Sequence, residues 1–224
     1  MERTIDLQEI SDGKRYGAND MVRADCGDCA GCSACCRGMG SSIVLDPLDA
    51  YRLSEGLKMS FGELLSGPIE LSVADGIILP NLKMAGEEEK CSFLNEAGRC
   101  QIHAFRPGFC RMFPLGRIYE NGSFQYFLQV HECKKENRAK VKVKKWLDTP
   151  DLARYESFVN EWHYFVKKLQ DALKEPQTRE KAKPVSMALL KVFYLTPYQS
   201  GEDFYEQFSR RMRANADAIC ALLD

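Results

Sequence analysis

Five cysteines fall within eleven residues, Cys26, Cys29, Cys32, Cys35 and Cys36, with the spacing C-x2-C-x2-C-x2-C-C. A two-residue gap lets a tight turn aim two sulfurs at one ion, with backbone N–H groups close by to stabilise the thiolates. Five thiols concentrate more potential negative charge than one loop holds comfortably without a cation. A chain built around such a loop is expected to fold about a metal.

Four further thiols, Cys91, Cys100, Cys110 and Cys133, extend the donor set. Between Cys91 and Cys100 the Glu96-Ala97-Gly98 stretch predicts a tight turn that brings those two sulfurs together. Cys110 sits between Pro107 and Pro114 and between Arg106 and Arg111. The prolines restrict the backbone path, and the arginines are candidates to offset thiolate charge, with surface salt bridges the alternative. The tenth cysteine, Cys220, lies on or beside an apolar helical stripe, where a free thiol acts as a small hydrophobe, and is left out of the site. His131 is a candidate ligand or ligand partner of Cys133, whereas His163 lies on a helix with no chemical role assigned.

An even number of cysteines also admits a disulfide framework. Residues 1–25 lack the basic segment and apolar run of an export signal, and the clustering at ligand spacings favours metal over disulfides. No apolar run approaches the roughly 20 residues of a membrane helix. A net charge of -1 and a pI near 6.3 exclude a global field toward nucleic acid or membrane. The expectation is a soluble cytoplasmic protein whose partner is a metal ion, without membrane or nucleic-acid binding.

The remaining elements follow from local signals. Residues 1–25 are a polar lead-in. Ser41–Leu45 predicts a short strand, and Asp46-Pro47 caps a helix to about Leu57. Ser60 and Glu63 form a capping box for a short helix through Leu65. Ile69, Leu71 and Val73, then Asp75-Gly76 and Ile77–Leu79, predict a hairpin. Asn121-Gly122 predicts a second, with Phe124, Tyr126, Leu128 and Val130 on one face. Leu152, Tyr155, Phe158, Val159, Trp162, Phe165, Val166 and Leu169 form a helical stripe opened by Thr149-Pro150-Asp151. Two more helices are predicted, from Pro184-Val185 to about Leu195 and from Glu202 to Leu223. These stripes are read as core, not as a cofactor box. The fold class is α+β: an irregular, metal-organised cysteine-rich domain over 26–147 with short β-hairpins, and a helical C-terminal region over 148–224 packed on it.

Cys29 to Cys36, Ile43-Val44-Leu45-Asp46-Pro47, Cys91-Ser92-Phe93-Leu94, Gly98-Arg99-Cys100-Gln101-Ile102, Arg106-Pro107, Cys110-Arg111, Phe113-Pro114 and Cys133 together resemble the YkgJ-type cysteine-cluster family. The resemblance spans roughly residues 26–147. It implies a zinc- or iron-chelating domain whose cysteines are Cys29, Cys32, Cys35, Cys36, Cys91, Cys100, Cys110 and Cys133. Cys26 lies outside that pattern, and His103 stands where the family leads one to expect tyrosine.

Eight thiolates suit two Cys₄ zinc sites or an iron–sulfur cluster. Adjacent Cys35 and Cys36 more naturally serve two metals than one. Cys26, Cys29, Cys32 and Cys36 alternatively have the C-x2-C-x2-C-x3-C spacing of bacterial ferredoxins, with Arg37 in place of the usual proline. Zinc and iron stay open as the cofactor.

Two other function classes remain. Flagellin lysine N-methylases are similar in their cysteine motif, which implies S-adenosylmethionine-dependent protein modification as one alternative. No binding motif for that cofactor is visible. Lys134–Lys145, with seven basic residues and one acidic, offers RNA or protein binding as another, against a solvated face as the simpler reading.

Overall fold

Most local signals become elements of a computed structural model that describes residues 7–27 and 32–224. Cys29 lies outside those residues. A helical turn, α1 (Leu7–Ile10), is followed by strand β1 (Met21–Asp25), so the stretch read as a polar lead-in contains a strand. Its sequence, Met-Val-Arg-Ala-Asp, buries only Val22 and Ala24. That pattern is too short and too weakly apolar to read as periodicity.

The strand expected at Ser41–Leu45 is reduced to one bridge, Val44 opposite Asn81. Only Ile43 to Leu45 can pair, because the chain turns at once into helix α2 (Pro47–Leu57). There Asp46 and Asp49 form a reciprocal capping box, each carboxylate accepting the other's backbone N–H. Helix α3 (Phe61–Leu65) carries the expected Ser60–Glu63 box.

The first hairpin pairs β2 (Ile69–Ala74) with β3 (Ile77–Leu82) around Asp75-Gly76. Its core face carries Ser72 opposite Leu79 and Ala74 opposite Ile77, which leaves Leu71 and Val73 exposed. Within β2, Leu71 and Val73 thus face outward, while Ile69 at its start is buried. A minimal pair, β4 (Met84–Ala85) and β5 (Lys90–Cys91), sets Met84 opposite Cys91.

Helix α4 (Gly108–Met112) leads into the Asn-Gly hairpin, β6 (Leu115–Glu120) and β7 (Ser123–Leu128). Asn121 and Gly122 both take positive φ, 51° and 77°, as the twist of a two-residue hairpin requires. Tyr126 and Leu128 are buried as the alternation predicted. Strand β8 (Ala139–Lys142) pairs antiparallel with β1, with a bulge between Val22 and Asp25. Then come α5 (Val143–Leu147), α6 (Leu152–Leu173), α7 (Ala182–Leu190) with a π-helical continuation over Lys191–Leu195, and α8 (Phe204–Cys220). The class is α+β, with four antiparallel strand pairs among the described residues. None of the described helices is long and apolar enough to cross a membrane.

The α6 stripe from Tyr155 to Leu169 is buried as the 3.6-residue period requires. It joins α2, α3, the β2–β3 hairpin, α7 and α8 in one apolar cluster. A second cluster holds Val22, Ala24, Met112, Leu115, Tyr126, Leu128, Val143 and Leu147. Phe109, Phe124 and Leu152 pack against both. Polar ties set the helices on the sheets. Ser186 Oγ accepts the Ile78 N–H at 3.0 Å, Gln170 donates to the Ala74 carbonyl at 2.9 Å, and the Tyr194 hydroxyl donates to the Leu45 carbonyl at 2.8 Å.

Leu169 is fully buried at the middle of this core. Leu169→Ala should lower unfolding free energy by about 2–5 kcal/mol in urea denaturation. A loss under about 1 kcal/mol would be too small for a fully packed position.

Candidate metal centre

Three separated segments deliver six thiols to one place. Cys32, Cys35, Cys36, Cys91, Cys100 and Cys110 line a cavity of about 60 Å³ walled by apolar groups such as Ile43, Leu82, Leu94 and Ile102. The first segment is a 3-10 turn, Ala34–Cys36, closed by the Cys36 N–H to the Ser33 carbonyl at 3.0 Å. It is tied to the β5 strand by an Arg37–Lys90 bridge, by the Gly38 N–H to the Glu89 carbonyl at 3.0 Å, and by an Arg37–Glu88 ion pair.

The second segment is the turn expected between Cys91 and Cys100. The Leu94 N–H donates to the Cys91 carbonyl at 2.8 Å, Leu94 bridges Cys100, and the Gly98 N–H closes on Asn95 at 3.0 Å. Gly98 has φ +70°, a conformation L side chains rarely adopt. The third segment is α4, which carries Cys110.

Cys26 directly follows β1, and Cys133 lies between β7 and β8. Both are half-buried, and neither lines the cavity. Among the described residues no three His, Cys, Asp or Glu side chains already converge on one ion position. The six thiols thus ring a space and do not form a closed cage.

Their acidities differ because their surroundings do. Burial pushes the Cys110 thiol well above its ordinary value, and the neighbouring Cys91, Cys36, Asp49 and Cys100 add to that. Burial raises Cys91 to about 11 and also raises Cys100. Cys36 goes the other way, to about 7, chiefly through its hydrogen bond with Cys35 and then through Arg106 and Arg37. One thiol is poised to ionise near neutrality while three hold their protons.

Of the two arginines considered for charge compensation, Arg106 lines the cavity and contacts the His103 ring nitrogen Nε2. Arg111 does not line it. It donates to the Ala104 and Asp148 carbonyls, at 3.0 Å each, and staples the loops behind α4. Arg37, which the sequence reading left out, acts on Cys36. His131 is exposed and lies off the cavity. His163 stacks on Tyr119 with ring centroids 3.5 Å apart, and Cys220 packs against the main apolar cluster.

Asp49 was missed altogether. It is buried, its carboxyl is raised to about 8 by burial and by Asp46, and it accepts the Gly108 N–H at 2.8 Å. Asp at the third helical position is outside the Glu/Gln capping-box pattern, so only weak sequence signal marks it.

The donor chemistry fits a thiophilic metal. Soft thiolates select zinc or iron–sulfur species, and an apolar wall limits water access. A comparison with protein-family models matches residues 28–140, just over half of the chain, to the model CxxCxxCC, described as a putative zinc- or iron-chelating domain. Neither curated proteins nor solved structures gave a match.

The raised thiols set a pH dependence for the metal-free protein. Cys91, Cys100 and Cys110 bind protons more tightly folded than unfolded. Their contribution is therefore complete below the ordinary thiol range and is lost as pH rises through about 11, the Cys91 value. Melting of reduced, chelator-treated protein should shift downward over that alkaline window, and the shift should shrink in Cys110→Ala. An identical alkaline shift in the variant would show that the Cys110 thiol is not buried as described.

Proposed function

This chain belongs to the CxxCxxCC family, and from that premise we propose that it holds a thiolate-bound zinc or iron centre in the six-cysteine cavity. The observation that carries the reading is the meeting of Cys32, Cys35, Cys36, Cys91, Cys100 and Cys110, from three segments, on one small apolar-walled space. A tetrahedral zinc takes four ligands. Six thiols on one cavity exceed that, which favours more than one metal: a pair of zinc ions or an iron–sulfur cluster. Adjacent Cys35 and Cys36 then serve different metals.

Cys29 completes the spacing in the sequence. Cys26 and Cys133 flank the β1–β8 pair from the same end, since Cys26 follows Asp25, which pairs with Ala139. Their recruitment requires the loops that carry them to close on the metal. Zinc here would cross-link three segments of the fold, whereas an iron–sulfur cluster would add one-electron transfer. A thiolate centre of this kind suits a reducing compartment such as the cytoplasm.

The two alternatives draw less support. Pockets for drug-sized ligands are roughly 300–1,000 Å³, so S-adenosylmethionine does not fit a cavity of about 60 Å³. The basic run spans the stretch before β8, β8 itself and the start of α5. Lys140, Lys142, Lys144 and Lys145 are exposed, while Val143 and Leu147 turn into the second core cluster. Part of that run is structural.

The test is metal and acid-labile sulfide content, with an absorption spectrum, on protein purified without oxygen. About two zinc ions in a colourless sample, or iron with sulfide in a brown one, supports the reading. Cys100→Ser should lower the bound metal and Cys220→Ser should not. Free metal at about 100 times Kd should stabilise the fold by about 3 kcal/mol over the chelated protein. Reduced protein that neither carries metal nor takes it up on reconstitution overturns the proposal.

A further inference from the structure

Gly108, the first residue of α4, is held from two sides by groups far away in sequence. On one side its N–H donates to Asp49 Oδ1 at 2.8 Å. The other carboxylate oxygen accepts the Asp46 N–H at 3.2 Å, so the first turn of α2 fixes the aim of Asp49. Asp49 is 2% exposed. On the other side stands Tyr155 of α6. A Cβ built on Gly108 would overlap the Tyr155 hydroxyl, whereas the next ring atom, Cζ, is an ordinary 3.5 Å away.

That hydroxyl is itself anchored. Arg117 of β6 donates to it at 2.7 Å, and the guanidinium lies over the Tyr155 and Phe124 rings at 5.3 and 5.4 Å. Four elements therefore converge two residues before Cys110. Helix α4 has five residues, too few to be stable without outside support. A thiolate–metal bond tolerates displacement of only about 0.2 Å. Whatever sets Gly108 in place also sets the Cys110 sulfur.

We propose that Asp49 and Tyr155 are positioning residues for the metal centre, the Asp49 carboxyl group drawing Gly108 in and the Tyr155 hydroxyl stopping it. This rests on the metal-centre reading above. It also brings α6 into the site, because Tyr155 lies beyond the matched residues 28–140. The helical region then takes part in holding metal and does more than cover the core.

The overlap supplies a reciprocal test. Gly108→Ala pushes the hydroxyl and α4 apart; Tyr155→Phe removes the stop and the Arg117 acceptor. Together, the new methyl group fills the space the hydroxyl leaves. Affinity for zinc and the visible thiolate-to-metal absorption of the cobalt(II)-loaded protein are measured on the full chain, reduced and without oxygen. Each single variant, and Asp49→Ala, should lose roughly 10–100-fold in zinc affinity, as loss of a partner behind a ligand does. Their cobalt absorption should shift toward that of Cys110→Ser. The Gly108→Ala/Tyr155→Phe protein should bind more tightly than either single variant. Tyr155→Phe keeps the ring, so it and the double variant remain readable if Gly108→Ala does not fold.

Wild-type affinity and cobalt spectrum in Tyr155→Phe and Asp49→Ala, with only the metal-free melting temperature lowered, would overturn the proposal and leave the metal centre standing. Cys110→Ser that binds like wild type would do the same. Wild-type protein that takes up neither zinc nor cobalt would bring down the metal-centre reading and this inference with it.

Discussion

Sulfur in a poorly hydrated wall is stable as a thiol and costly as a thiolate, unless a cation sits beside it. This constraint governs the N-terminal half of the molecule. Cys91, Cys100 and Cys110 are held protonated by burial and by one another, and Cys36 alone is drawn toward ionisation by Cys35 and two arginines. On the proposed reading, metal entering the cavity would displace the protons of the reluctant thiols, so its binding would be coupled to proton release.

The rest of the structure supports those loops. The strands come as isolated two-stranded pairs, and such pairs are marginal in water without a packed face. Their stability comes from the helices. Helix α6 buries an uninterrupted stripe, and Ser186, Gln170 and Tyr194 hydrogen-bond the β2–β3 hairpin and the stretch after the cysteine loop. A half-buried charged group follows the same logic. Arg117 lies against two aromatic rings with the Tyr155 hydroxyl as acceptor, and its charge acts on Asp46.

Charge placement around the cavity separates two roles that spacing alone leaves mixed. Arg106 and Arg111 lie on either side of Cys110 in the sequence, yet they diverge. Arg106 is one turn before the helix and faces the thiols, whereas Arg111 lies one residue past Cys110 and its guanidinium reaches back to the Ala104 and Asp148 carbonyls. Arg106 lies on the extended stretch before α4, whereas Arg111 lies on the helix itself. The arginine that complements the site is set by where the chain enters α4.

What the sequence determined by itself is whatever depends on near neighbours. The cysteine spacing, the Asp46 and Ser60 caps, the Asn121-Gly122 turn and the α6 stripe all express interactions within a few residues, and each is legible. Tertiary structure decided the rest. β1 pairs with β8 across more than one hundred residues on two small buried side chains, a signal too weak to read locally. The strand expected at Ser41–Leu45 shrinks to one bridge because α2 begins at once, and Leu71 and Val73 face outward because the paired core face belongs to Ser72 and Ala74. The grouping of six thiols on one cavity, and the meeting of Asp49, Gly108, Tyr155 and Arg117, likewise exist only after distant elements dock. The physical reason is common to all of these. A cap or a turn is complete within one segment, but a cavity and its supports are defined by surfaces that different segments bring together.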